Sequence, residues 1–493
     1  MRALSKSKIL AFRQCPRRVW LEVHRPELKA DSEATEATYT AGNKVGELAR
    51  ALYDANGDGT LIDRDMLGFP GVFDATAEAL QRRRPVFEAA FTTGDALSLA
   101  DVLLPVGKRD WRMVEVKATI SVKDVHVEDA AVQAHIASRA GIRLAGVSLA
   151  HIDRSWVYPG GGDYAGLLVE ADLTAETRPL AREVQGWIDE AQRVVSSRKA
   201  PSVRTGPQCS SPYDCGFHAH CSSFEPAVET PIQWLPHLRA QPWIDRGVRD
   251  MRDLPEASLS EVQRRVRECT LDDMVYFDRD AAAADLAAHP LPGYFMDFET
   301  IQFAVPIWAG TRPYQQIPFQ YSVHRLGRRG KLEHAEFLDL SGNDPSRAFA
   351  KQLIRDCGSA GPVFVYNAAF EKSRLVELAQ RYADLARGLN AIRDRVVDLL
   401  PIARERFYHP LQKGSWSIKA VLPVIAPDLS YAGLDGVHDG GEAQEKFLLA
   451  IDPQTEARQR DTIREQLLAY CRLDTYAMVR LWQVFAGRTG WSL

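Results

Sequence analysis

Nowhere in the 493 residues do about 18 apolar residues run together, the length a membrane-crossing helix needs. The opening Met-Arg-Ala-Leu-Ser-Lys-Ser-Lys has no apolar h-region either, so a cytoplasmic location and no membrane partner are expected. Internal repeats and low-complexity stretches are absent. Neither sign of charge dominates: 61 Lys and Arg face 65 Asp and Glu, a formal net charge of -4. That balance neither requires nor excludes nucleic acid, because nucleases crowd acids into their sites and keep basic residues around them. Clusters such as Arg82-Arg83-Arg84 and Arg328-Arg329-Gly330-Lys331 suit phosphates, and equally suit a solvated face. Cysteine is scarce, seven in all, which argues against a disulfide framework in a cytosolic chain.

What remains is an ordinary globular composition, 45% hydrophobic and 26% charged, long enough for about three domains. The cysteines are unevenly placed. Cys209, Cys215 and Cys221 crowd into thirteen residues, while Cys15, Cys269, Cys357 and Cys471 stand apart. Cys269, Cys357 and Cys471 read as small buried hydrophobes.

In the first half, Leu4 to Glu22 reads as a helix interrupted at Cys15-Pro16, and Tyr39 to Tyr53 as another, containing Gly42 and Gly46. Ala96 to Pro105 is a buried strand carrying Asp101; Gly107 to Asp110 turns the chain; Trp111 to Ala118 carries Glu115-Val116-Lys117. The hairpin brings Asp101 beside Glu115, and a strand's period of two puts Lys117 on the Glu115 face. Glu128 to Ala140 is a helix whose Gln133 is placed to face the hairpin. Two carboxylates that hold a divalent ion and a lysine that offsets transition-state charge are what metal-assisted phosphodiester cleavage needs.

The second half is organised around Tyr294 to Thr300, Tyr-Phe-Met-Asp-Phe-Glu-Thr. In a strand Asp297 and Glu299 leave one face, and the phenylalanines are expected on the other. Burying two like charges together is costly unless a cation sits between them. Strands follow at Phe319 to Leu326, Leu332 to Leu338 and Val363 to Tyr366, with a helix at Ser346 to Asp356. Asn367-Ala-Ala-Phe370-Glu371 opens a helix, and Asp461 to Phe485 is a long one on which Tyr470 and Asp474 share a face. Asp398 and Lys419 read equally as groove-lining residues or as a turn cap and a surface lysine. Between the halves, residues 226–290 read as a helical connector.

Residues 1–225 resemble the RecB-type branch of the PD-(D/E)xK nuclease superfamily, on Gln14-Cys15-Pro16-Arg17-Arg18, Ala100-Asp101, Glu115-Val116-Lys117, Gln133 and the run Cys209-Ser-Ser-Pro-Tyr-Asp-Cys215-Gly-Phe-His-Ala-His-Cys221. The resemblance implies that Cys15, Cys209, Cys215 and Cys221 hold a metal group stapling the ends of this domain together. Four thiolates suit a [4Fe–4S] cluster or zinc, and the five residues between successive late cysteines favour the cluster. His218 and His220 read as loop residues, which a zinc site would be able to recruit. The chain departs from the branch in having Gly46 where a histidine ligand often stands, and Ala137 where a tyrosine follows the glutamine.

Residues 291–493 resemble the DEDD superfamily of 3′–5′ exonucleases, tyrosine branch, on Asp297-Phe-Glu299, Asn367-Ala-Ala-Phe-Glu371 and Tyr470-x-x-x-Asp474, with Glu371 where aspartate is usual. The chain as a whole is similar to a bacterial family in which a RecB-like domain precedes an uncharacterised DEDD-like one. The expected fold is therefore α/β, a PD-(D/E)xK restriction-endonuclease-like domain plus a ribonuclease H-like exonuclease domain. The implied activity is Mg²⁺- or Mn²⁺-dependent hydrolysis. Asp101 and Glu115 ligate in the first site; Asp297, Glu299, Glu371 and Asp474 ligate in the second, where Tyr470 orients the attacking water. The implied partner is nucleic acid, DNA with free or single-stranded ends, together with a helicase, in repair, recombination or defence. The alternatives are an exonuclease of RNA 3′ ends, or a first half that only binds DNA.

Overall fold

The computed structural model describes residues 3–30 and 33–491. The chain is mixed α/β with several sheets and many helices, and it divides into two compact units. One comprises Met1–Pro226 with Phe303–Gln315; the other comprises Ala227–Gln302 with Gln316–Leu493. Among the described residues no helix is long and apolar enough to cross a membrane.

The first unit is built on a sheet of β1 (Leu4–Ser5), β2 (Thr60–Leu61), β3 (Val86–Thr92), β4 (Ala96–Val106), β5 (Asp110–Lys117), β6 (Leu144–Ile152) and β7 (Leu168–Asp172), in the order β2-β3-β4-β5-β6-β7 with β1 beside β4. β4 and β5 form the expected antiparallel hairpin, with Val102 opposite Val114. The helix Asp124–Arg139 then carries the chain to β6, which runs parallel to β5. At the start of the chain there are two helices, Lys6–Gln14 and Pro16–His24. Cys15 between them is extended, because a residue before proline is pushed out of the helical region and proline suits the first turn of the next helix.

The second unit holds β8 (Tyr276–Phe277), β9 (Gly293–Ile301), β10 (Ile317–Leu326), β11 (Leu332–Leu338), β12 (Val363–Val365), β13 (Val396–Asp398) and β14 (Phe407–Tyr408). Its main sheet has the order β11-β10-β9-β12-β13: β9, β10 and β11 are antiparallel, and β12 and β13 run parallel to β9. The 29-residue helix Ala457–Phe485 lies on this sheet, burying Leu467, Tyr470, Cys471, Asp474, Met478, Leu481 and Trp482 at helical spacing.

β9 corrects one expectation. Phe295 does not leave the face opposite the carboxylates. It shares the parity of Asp297 and Glu299 and stacks on Phe364 and Trp482, whereas Phe298 packs on the other side against Phe349. One sheet face is thus apolar at one end of β9 and acidic at the other.

Residues 226–290 do not stand as a separate bridge. Ile232, Leu235, Met251, Leu254 and Val266 enter the same core as Phe295, Phe364 and Trp482. A stretch this rich in large apolar side chains needs a core, and the sheet supplies one. Within it, Ser260 and Gln263 form a reciprocal cap, Gln263 N–H to Ser260 Oγ at 3.3 Å and Ser260 N–H to Gln263 Oε1 at 2.9 Å, which starts the helix Glu261–Leu271. The loop Phe303–Gln315, between β9 and β10, belongs to the first unit.

Gly414 shows how closely this stretch is fitted. It sits at φ +76°, and a Cβ there would lie 1.6 Å from the carbonyl oxygen of Trp234. Gly414→Ala is therefore expected to destabilise the second unit by about 3 kcal/mol or more, from the left-handed backbone plus the displaced chain. Urea unfolding followed by tryptophan fluorescence would measure it.

Candidate functional site

Asp297 and Glu299 leave β9 on the face covered by the helix Ala457–Phe485, and that helix presents Asp474 to them. Ligand oxygens of all three carboxylates lie within 4.8 Å of one another. Glu299 and Asp474 are buried, and Asp297 keeps part of its surface in solvent. Desolvation pushes the Asp297 carboxyl up to about 8, with Asp474 adding to it. Glu299 is driven well above the usual carboxylate range by burial, then by Asp297 and Asp474. Asp474 rises to about 6; burial raises it, while the hydroxyls of Tyr431 and Tyr470 and the Lys419 ammonium oppose the rise.

Glu371 lies in the first turn of the helix Ala368–Arg381, whose cap Asn367 takes a left-handed conformation at φ 75°. Its side chain is buried, and Oε2 has no hydrogen-bond partner. Burial and Asp297 push its carboxyl up to about 9. It stands outside the close group of three, but near enough to feel the charge of Asp297.

Tyr470 stands beside Asp474 on the same helix, and burial, then the charge of that carboxylate, raises the phenol, so it is held protonated. Tyr431, which the sequence did not single out, donates to Asp474 Oδ1 at 2.5 Å, with its ring 6.3 Å from that of Tyr470. Lys419 Nζ lies 5.4 Å from both ring centroids and donates to the His438 carbonyl at 2.6 Å, which places it in the site. Asp398 is a cap: it accepts from the N–H groups of Asn367, Ala368 and Leu400, each at 3.0 Å.

In the first unit, Asp101, Glu115 and Lys117 line one cavity of about 860 Å³. Gln133 reaches Glu115 Oε2 from the helix Asp124–Arg139 and Asp129 Oδ1 at 3.2 Å. Asp101 accepts from the Val116 N–H at 2.7 Å, and burial, then Glu115, raise its carboxyl well above its usual range. Two participants were missed. Lys6 Nζ lies 3.0 Å from Glu115 Oε1 and 2.9 Å from Asp129 Oδ1, while Lys117 Nζ lies 2.5 Å from Glu115 Oε1 and 2.8 Å from Asp129 Oδ2. No pattern near the chain start marks Lys6 as anything but a helix-opening residue. As they stand these residues do not fit a divalent ion, because both oxygens of Glu115 are already engaged by ammonium or amide donors.

Cys15, Cys209, Cys215 and Cys221 line a single small pocket, although they come from opposite ends of the unit. Burial raises the thiols of Cys215 and Cys221. Arg17 lines the same pocket, and its Nε is buried without a partner. Four thiols lining one pocket, with the unpartnered Nε of Arg17 beside them, are a donor set that suits an anionic metal–sulfur group. His218 lines this pocket as well, whereas Cys269, Cys357 and Cys471 are buried elsewhere.

Comparison with known proteins adds little chemistry. Residues 294–417 match a domain of unknown function, DUF2779, a stretch that includes Asp297, Glu299 and Glu371 and ends before Tyr470 and Asp474. The chain is also similar to the "Uncharacterized protein MG366 homolog" of Mycoplasma pneumoniae, 29% identical over 210 residues. That match covers 38% of this chain, and it spans about a third (31%) of that protein's length.

The crowded carboxyls give stability a definite pH dependence. Asp297 has an ordinary value of 3.8 and is pushed up to about 8, so between those limits the folded metal-free chain binds more protons than the unfolded one. Stability is complete below that window and falls as pH rises through it. Thermal unfolding in EDTA should show the midpoint dropping from about pH 5 to pH 8, and Asp297→Asn should flatten that slope.

Proposed function

We propose that the chain is a metal-dependent nuclease whose second unit removes nucleotides from 3′ ends of DNA, in repair, recombination or defence. The observation that carries this reading is the convergence of Asp297, Glu299 and Asp474 within 4.8 Å, with the unpartnered oxygen of Glu371 nearby. Among the described residues none of the four forms an ion pair, so their oxygens are not committed to a cation of the chain itself. Asp297, Glu299 and Asp474 would hold Mg²⁺ or Mn²⁺, and Glu371 would complete the shell. Bound there, the divalent pair supplies water activation and neutralises phosphate charge.

The chain's own groups do the positioning. Tyr470, held protonated by burial and the carboxylates beside it, orients the attacking water through its hydroxyl oxygen. Tyr431 fixes the Asp474 carboxylate through Oδ1, and Lys419 brings positive charge to the edge of the site. Three antiparallel strands followed by a parallel pair support a ribonuclease H-like reading of this unit. In the first unit, the β4–β5 hairpin, the helix after it and the parallel β6 support a RecB-like PD-(D/E)xK reading.

For the thiols we favour a [4Fe–4S] cluster. The five residues between successive late cysteines, and the unpartnered Arg17 Nε beside their pocket, support an anionic cluster over zinc.

Purified chain with Mn²⁺ should degrade end-labelled single-stranded DNA from its 3′ end. Asp297→Ala should abolish this, and Tyr431→Phe should cost about 10–100-fold, the usual loss when a ligand's supporting hydrogen bond is removed. Unchanged degradation by Asp297→Ala would refute the assignment. Anaerobically purified protein should be brown, absorbing near about 400 nm as iron–sulfur chromophores do, and should lose the colour on Cys215→Ser.

A further inference from the structure

We propose that the cavity of the first unit is a metal-independent site for the phosphodiester backbone of a single nucleic acid strand, in which Lys6 and Lys117 stand where a divalent ion was expected. The two ammonium groups and the carboxylates of Glu115 and Asp129 form a closed ring of four charges, each lysine touching both acids at 2.5–3.0 Å. With Gln133 on Glu115 Oε2 and on Asp129 Oδ1, every oxygen of these two carboxylates has a donor. An ion would have to displace a lysine from two buried partners at once.

The layering points the same way. The side chain of Glu115 is 0% exposed and that of Asp129 7%, whereas Lys6 and Lys117 keep 17% and 27%. Glu115 and Asp129 therefore lie beneath Lys6 and Lys117, whose ammonium groups meet a ligand together with Arg18, Arg50 and Lys123, against the acids Glu47, Glu88 and Asp101 on the same wall. An ammonium has three donors, and each lysine spends two on the ring. The third is left for an incoming oxygen.

The cavity wall fits a strand better than a small anion. It encloses about 860 Å³, and it is lined by Gly42 and Gly46. A Cβ built on either glycine meets nothing within 4 Å, so bare backbone faces open space where a metal-binding histidine would stand in the resembled branch. Tyr213, 49% exposed, lines the cavity between the late cysteines and gives a base a ring to stack on. A cationic floor beside an exposed aromatic ring is how single strands are held without reading sequence. Lys6 and Lys117 thus bind and orient the backbone, and no bond is broken here.

This inference rests on the nucleic-acid reading of the chain, and its test separates the two. Degradation is read on the unaltered chain, and retention on the full chain carrying Asp297→Asn and Asp474→Asn. In EDTA, that double variant should retain a fluorescent single-stranded oligodeoxynucleotide, with affinity unchanged by Mn²⁺. Adding Lys6→Met should weaken retention at least about tenfold and lower the salt slope by about one, as loss of one phosphate contact does; Lys6→Arg should restore both. Should Lys6→Met alone unfold the unit, Lys6→Met with Asp129→Asn removes one charge of each sign and should fold, yet still lose retention. Inorganic phosphate should compete only in large excess. The proposal is overturned if retention requires Mn²⁺, or if the double variant binds an Mn²⁺ ion, seen by electron paramagnetic resonance, that Asp101→Asn abolishes. It also fails if the Lys6→Met variants retain the strand as the parent does, or if phosphate competes mole for mole.

Discussion

Three carboxylates held within 4.8 Å of one another, two of them buried, are the constraint around which the second unit is arranged. Buried like charges repel strongly at that range, so a chain keeps them together only when the surrounding packing leaves them no way to separate. Here the packing is rigid on both sides. β9 is central in its sheet, hydrogen-bonded to β10 and β12, and the long helix is anchored on that sheet by Phe295, Phe364 and Trp482. The stacked aromatics at one end of the face hold the helix at the height that brings Asp474 over Asp297 and Glu299. The hydrophobic part of the face thus fixes the geometry of the acidic part.

The two acidic sites of the chain resolve the same electrostatic problem in opposite ways. In the first unit Glu115 and Asp129 are neutralised in place by Lys6 and Lys117, at the cost of committing their oxygens. In the second unit Asp297, Glu299, Asp474 and Glu371 have no ion pair among the described residues, and their carboxyls become weaker acids instead. A site that answers crowding by raising its carboxyls keeps ligand oxygens free for an incoming cation. One that answers with internal lysines presents ammonium groups to its surroundings. On this difference rests the proposal that the second unit carries the chemistry and the first holds the strand.

Much of this was legible before any fold was known. Parity along β9 put Asp297 and Glu299 on one face, and the four-residue spacing of Tyr470 and Asp474 put them on one face of a helix. Proline after Cys15 announced a break between two helices. Other features were not legible, each for a physical reason. Tyr431 opens a three-residue 3-10 helix, Tyr431–Gly433, too short to carry periodicity, so nothing local marks the hydroxyl that reaches Asp474 across 43 positions. Lys6 and Asp129 meet over 123 positions, and each looks like an ordinary charge on a helix. Phe295 was assigned to the wrong face because attention to residue type overrode the period of two that its own number obeys. The stretch 226–290 looked like a linker because its elements are short, although its apolar side chains belong to the core.

By itself, then, the amino-acid sequence determined which side chains share a strand face or a helix face, where helices start and break, and which thiols crowd together. These are consequences of backbone periodicity and local sterics, which act over a few residues. Only the tertiary structure decided which faces meet. It set Asp474 over β9, brought Cys15 to the late cysteines, and delivered Lys6 to Glu115 ahead of any ion. Such meetings depend on how whole elements bury their apolar surface against one another, and no local pattern encodes that.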